Sequence, residues 1–175
     1  MRGVGLAMAL VACAHAQPVA IRGADGNVPL TTLDGREIKL ADVGRPVTVI
    51  ALWSTFCEPC LEELPLVNRL AESYRNDSEV AVLAVAIDGV DDIEKVRAAA
   101  KRLHLTLPVL LDRDGALSRR LQPREDQQVV PLFAVIGPDF KVDRQVGYLP
   151  MGPNQFVQKN SERIERARRG QLTRQ

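Results

Sequence analysis

Residues Val47 to Trp53, VTVIALW, form an apolar, β-branched run of strand length, and four residues beyond it Cys57 and Cys60 open a segment with helical period. Leu61, Leu64, Val67, Leu70, Ala71 and Tyr74 carry that period, so the paired cysteines fall where a strand hands over to a helix. Pro65 lies inside the predicted helix, where it removes a hydrogen bond and is expected to kink the axis. This handover constrains the architecture more than any other stretch, because a strand that passes straight into a helix builds crossover connections and a sheet flanked by helices.

The rest of the chain extends the pattern. Val28 to Asp42 reads as two short strands around an Asp34-Gly35 turn, closed by Pro46. Glu79 to Ile87 is nearly all apolar and suits a strand covered on both faces. Asp91 with Glu94 resembles a capping box, predicting a helix whose buried stripe is Ile93, Val96, Ala100 and Leu103. Pro108 to Leu111 reads as a third strand and Ala116 to Leu121 as a short helix. Leu132 to Ile136 and Val142 to Tyr148 are predicted strands joined by Gly137-Pro138-Asp139. Ser161 to Arg169 reads as a polar helix with a solvated face, laced by Glu162 with Arg166 and Glu165 with Arg169. The order β-α-β-α-β-α-β-β-α predicts an α/β fold with a mixed sheet, helices on both faces and sites at the carboxyl ends of the strands. No repeat and no low-complexity segment interrupts it.

The first sixteen residues stand apart: Arg2 precedes the short apolar core Val4 to Ala12, and small residues follow, the layout of a secretory signal. Ala14-His15-Ala16 offers one cleavage site, before Gln17. Leu10-Val11-Ala12-Cys13 offers another, a lipobox in which Cys13 is the lipidated residue, and both readings stay open. Residues 17–27 then form a tether, 28–170 the folded domain and 171–175 a tail. The expected location is periplasmic or otherwise extracytoplasmic, with a lipid anchor as the one expected tie to the membrane. Lys and Arg number 23 against 22 Asp and Glu, so overall charge gives no reason to expect nucleic acid as a partner.

Of the three cysteines, Cys57 and Cys60 remain in the domain on either reading of the leader. At a helix start, free amides and the helix dipole stabilise a thiolate; the usual thiol pKa of roughly 8.5 falls to about 3.5–7.5 in such motifs. Cys57 is expected to be exposed and to attack a disulfide, while Cys60, one turn later, points inward and resolves the mixed disulfide. Such a couple needs no bound cofactor. Glu63 stands either as a proton acceptor for Cys60 or as a solvated glutamate like Glu62. A closed zinc site lacks ligands, since only His104, and His15 if it is retained, joins the two cysteines. A structural staple across so short a loop restrains little chain entropy.

From about Val28 to Gly152 the chain resembles the membrane-tethered or periplasmic thioredoxin-like proteins of the TlpA and ResA type. The resemblance is carried by Asp34-Gly35 with Ile38 to Leu40, the strand ending at Trp53, Cys57-Glu58-Pro59-Cys60, Glu63-Leu64-Pro65, and Pro131 followed by a strand and Gly137-Pro138-Asp139. It implies a thioredoxin-like fold with an N-terminal β-hairpin extension and a thiol-disulfide oxidoreductase with Cys57 and Cys60 catalytic. It also implies that Pro131 is a cis proline beside the pair, that the Val130 backbone pairs with an extended client, that Glu63 is the buried acid near the second cysteine, and that Trp53, Glu58 and Pro59 support the site. The implied partners are disulfide-containing clients, apocytochrome c being the family's best-known example, and a membrane thiol carrier as electron donor. Phe56, Leu132 and Phe140 depart from residues common in that group, Phe140 at a turn position usually held by glycine.

Two other classes compete for the same cysteines. A peroxiredoxin-like peroxidase wants Ser or Thr three residues and Pro seven residues before the reactive cysteine; Ser54 fits and Ile50 does not. A copper carrier using both thiolates is the non-catalytic alternative.

Overall fold

The computed structural model describes residues 26–124 and 127–172. Cys13, both cleavage readings and the tether up to residue 25 lie outside the described residues. Strands β1 (Pro29–Thr32), β2 (Glu37–Lys39), β3 (Val47–Trp53), β4 (Val80–Ala86), β5 (Val109–Leu111), β6 (Leu132–Ile136) and β7 (Val142–Val146) form one sheet in the order β2-β1-β5-β4-β3-β6-β7. The helices are α1 (Leu40–Val43), α2 (Glu58–Ser73), α3 (Ile93–Arg102), α4 (Ala116–Leu121) and α5 (Pro153–Arg168). β3 runs parallel to β4 and antiparallel to β6, and β4 runs parallel to β5, so the sheet is mixed as predicted. No helix among the described residues is long and apolar enough to cross a membrane.

β3 lies in the middle and is buried along its whole length, which its near-continuous apolar sequence requires. Its one polar residue, Thr48, is satisfied locally: Oγ1 donates to the Arg45 carbonyl at 2.7 Å and accepts from the Arg45 amide at 3.0 Å. Alternate residues of β3 enter two cores. Val49, Ala51 and Trp53 pack with Cys60, Leu64 and Val67 of α2 and with Phe156 and Ile164 of α5. Ile50 and Leu52 pack on the opposite face with Leu40, Leu117 and Leu121. Each fully buried large aliphatic side chain contributes about 1.5–3 kcal/mol, so the sheet is held from both sides.

The N-terminal hairpin is present, with β1 and β2 joined through Asp34-Gly35, where Gly35 takes φ +86°. β1 also pairs with β5, which fuses the hairpin into the main sheet. The turn between β6 and β7 places Phe140 at φ +60°, a conformation that glycine adopts without cost. That geometry accounts for the glycine that the resemblance leads one to expect there.

Several sequence expectations are corrected. Asp91 does not cap a helix: Val90–Asp92 is a turn of 3-10 helix, α3 starts at Ile93, and Glu94 instead pairs with Arg97 at 2.5 Å. The buried stripe of α3 is Val96, Ala99 and Ala100, with Ile93 and Leu103 only half-buried at the helix ends. The last helix begins eight residues earlier than predicted, at Pro153, whose missing N–H is harmless in a first turn. Nor is this helix merely a solvated one, since Phe156, Asn160, Arg163, Ile164 and Ala167 are buried against the sheet. Arg166 pairs with Asp143 and Arg168 with Asp77 and Glu165, in place of the expected Glu162–Arg166 and Glu165–Arg169 pairs.

Candidate functional site

The carboxyl end of β3 delivers the chain through Ser54, Thr55 and Phe56 to Cys57, the N-cap of α2. Pro59 occupies the first turn, where an amide would find no helical partner, and Glu58 places an acid at the positive end of the dipole. Cys57 and Cys60 are joined in a disulfide with their Cα atoms 5.2 Å apart. The amide of Cys60 donates both to Cys57 Sγ at 3.2 Å and to the Cys57 carbonyl at 3.1 Å, so a helix-terminal N–H is shared between that carbonyl and the outer sulfur.

The two cysteines differ in exposure as whole residues, 8% for Cys57 against 1% for Cys60. Cys57 is the less buried of the two, but its expected exposure is corrected. Its residue packs into the core cluster with Trp53 and Cys60, and the side chain that stands out in solvent is its neighbour Phe56, at 78%.

Pro131 follows Val130 through a cis peptide bond and is buried at the start of β6, the strand beside β3. Its carbonyl accepts from Gly147 N at 2.9 Å. Gly147 follows β7 at φ +82°, which ties the end of β7 to the proline. Val130 is half-buried and packs against both cores. Trp53 is almost fully buried beside the cysteines; among the described residues neither its Nε1 nor Ser54 Oγ has a hydrogen-bond partner.

Glu63 lies on the buried face of α2, one turn beyond Cys60, with 4% of its surface exposed. Burial pushes its carboxyl up to about 7, and the positive charge of Arg163 acts in the opposite direction. A carboxyl that exchanges its proton near neutrality, next to the inner cysteine, is chemically suited to proton transfer.

Two groups near this site went unread in the sequence. Asp88, just beyond β4, is buried and accepts hydrogen bonds from the Thr55 amide at 3.0 and 3.1 Å and from the Thr55 hydroxyl. Arg163 on α5 is buried over the Phe133 ring. An acid at the end of an apolar run was the available signal for Asp88. For Arg163 the available signal was its helical spacing, seven residues after Phe156 and four before Ala167, which sets it on the apolar face of α5.

The model of the AhpC/TSA family matches residues 25–145. The chain belongs to the AhpC/TSA family. Several relatives and solved structures are similar to this AhpC/TSA member. It is 36% identical over 87 residues to the thioredoxin-like protein YneN of Bacillus subtilis, covering 49% of this chain and 50% of YneN. It is 31% identical over 91 residues to the thiol-disulfide oxidoreductase ResA of Bacillus thuringiensis, covering 52% and 51%. The chain thus spans about half the length of the curated relatives it matches. Among solved structures, a putative thioredoxin from Neisseria meningitidis superimposes with a TM-score of 0.63 at 27% identity, covering 87% of this chain and 93% of that one. In this AhpC/TSA member, as the resemblance implied, the fold is thioredoxin-like.

Proposed function

We propose that this protein is an extracytoplasmic thiol-disulfide oxidoreductase that reduces disulfides of client proteins through Cys57 and Cys60. The observation that carries the reading is the Cys57–Cys60 disulfide at the N-terminus of α2, with the Cys60 amide on the outer sulfur. The likeness to ResA and YneN supports the same chemistry.

In the reduced protein the Cys57 thiolate attacks one sulfur of a client disulfide, forming a mixed disulfide and releasing the first client thiolate. Glu63 takes the proton of Cys60, whose sulfur then attacks Cys57 Sγ and releases the second client thiolate. Two electrons have passed to the client, and Cys57 and Cys60 are joined. A dithiol donor must reopen them, and a membrane thiol carrier is the source we assign. The exposed apolar residues Phe56, next to Cys57, and Val146, opposite Leu132 in the sheet, favour an unfolded or extended client, such as an apocytochrome c, lying along Val130 and Pro131. Residues 1–16 act as the export signal in this reading, with Cys13 either lipidated or removed.

The test is reduction of insulin disulfides by the full chain with dithiothreitol as donor. The wild type should turn over, Cys57→Ser should be inert, and Cys60→Ser should trap a mixed disulfide. A wild type unable to cycle would overturn the reading, as would peroxide consumption that persists in Cys60→Ser, which marks a peroxidase.

A further inference from the structure

The Asp88 carboxylate is the structural anchor of the turn that precedes Cys57. Asp88 is 2% exposed, and both its oxygens lie within hydrogen-bond reach of the Thr55 amide, at 3.0 and 3.1 Å. The Thr55 hydroxyl also donates to Oδ1. The contact spans 33 residues of sequence and joins the ends of two neighbouring parallel strands. Thr55 is only two peptide units from Cys57, so their Cα atoms are within about 7.6 Å. The carboxylate thus holds the residue two positions before the sulfur that must become a thiolate.

Structural anchoring alone asks only for an acceptor. An asparagine oxygen would receive the Thr55 amide equally well, and its amide would donate to the hydroxyl. What aspartate adds is a charge in a site screened from water, where its field on a nearby thiolate is stronger than at the surface.

We propose that Asp88 is a positioning residue of the Cys57–Cys60 couple: it clamps the Thr55 turn and sets a negative charge behind the nucleophilic sulfur, which holds the couple toward the reducing end of its range. The inference rests on the oxidoreductase reading above. The helix terminus of α2 stabilises the Cys57 thiolate, and Asp88 opposes it. A less stabilised thiolate makes the reduced form less favourable relative to the disulfide, so the dithiol gives up its electrons more readily. The reverse case, a strongly stabilised reduced form, makes an oxidant.

Glu58 is exposed on the first turn of α2, and Glu63 lies beside Cys60 rather than Cys57. From α3, Lys95 is paired with Asp92 at 2.6 Å and within electrostatic reach of Asp88; its side chain is 71% exposed, so it offsets only part of the buried charge.

The experiment uses the full chain and two readouts: the Cys57 thiolate pKa, from the pH dependence of alkylation, and the thiol-disulfide equilibrium against dithiothreitol. In Asp88→Asn the thiolate pKa should fall by about one unit. The equilibrium should shift up to about tenfold toward the dithiol, equivalent to about 30 mV. A folded Asp88→Asn in which both readouts match the wild type overturns the proposal, because a purely structural role lowers stability without moving either. If Asp88→Asn does not fold, Lys95→Met decides: removing the facing cation should raise the thiolate pKa, and a value that stays or falls overturns the proposal. Failure of the oxidoreductase reading is seen separately, as a wild type that does not reduce insulin.

Discussion

The Arg163 guanidinium lies 5.1 Å from the centroid of the Phe133 ring, and its Nε and Nη2 both reach the Asp143 carboxylate, at 2.9 and 3.0 Å. Nη1 donates to Asn160 Oδ1 at 3.0 Å, so the buried charge is held on three sides. Arg163→Met removes one member of this pair and leaves Asp143 with only the more exposed Arg166, 3.5 Å away. The expected cost is about 3 kcal/mol in urea denaturation. Arg163→Lys should recover only part of it, because an ammonium cannot make the forked contact.

Glu63 should make stability fall as pH rises. Its folded carboxyl titrates at about 7 against an ordinary value of 4.5, so the folded state holds a proton that the unfolded chain has already lost. The stabilisation is complete below pH 4.5 and disappears through about 7, an interval equivalent to about 3 kcal/mol. Denaturation of the wild type at about pH 5 and about pH 8 should show this loss, and Glu63→Gln should abolish the Glu63 contribution. The same variant should flatten the neutral limb of the pH profile for insulin reduction.

Gly147 is required by its backbone rather than by space. It stands at φ +82° with nothing within 4 Å of the position a Cβ would take, while its amide holds the Pro131 carbonyl. Gly147→Ala should therefore cost about 1 kcal/mol from the left-handed conformation alone. Chemical denaturation measures the cost, and Gly35→Ala, at φ +86° and equally open, gives a like comparison away from the cysteines.

Phe56, 78% exposed beside Cys57, should matter to clients and not to folding. Phe56→Ser is expected to change stability by less than about 0.5 kcal/mol. If the ring is buried by a bound client, KM for insulin should rise about tenfold with kcat little changed.

The strand at Val47 to Trp53 was legible because burial on both faces demands an unbroken apolar run, and the structure places β3 over those same residues. The cysteine pair was legible for a related reason: a strand-to-helix change of period locates the helix terminus within a few residues. The start of α5 was not legible. Asn160 and Arg163 look solvated in sequence, and only their partners, Phe133, Asp143 and the Phe156 carbonyl, make burial affordable. Asp91 with Glu94 misled for the opposite reason, since a local pattern that fits a cap is overridden when the chain enters through a 3-10 turn.

By itself the sequence determined the α/β order, the central strand and the position of Cys57 and Cys60 at a helix start, because all of these depend on periodicity and polarity over a few adjacent residues. Only the tertiary structure decided that Asp88 meets Thr55, that Arg163 meets Asp143 and Phe133, and that Glu63 is buried within range of Arg163. Those contacts join residues from 20 to 100 positions apart. They exist because the crossover topology brings strand ends and helix faces together, which no local pattern of residues encodes.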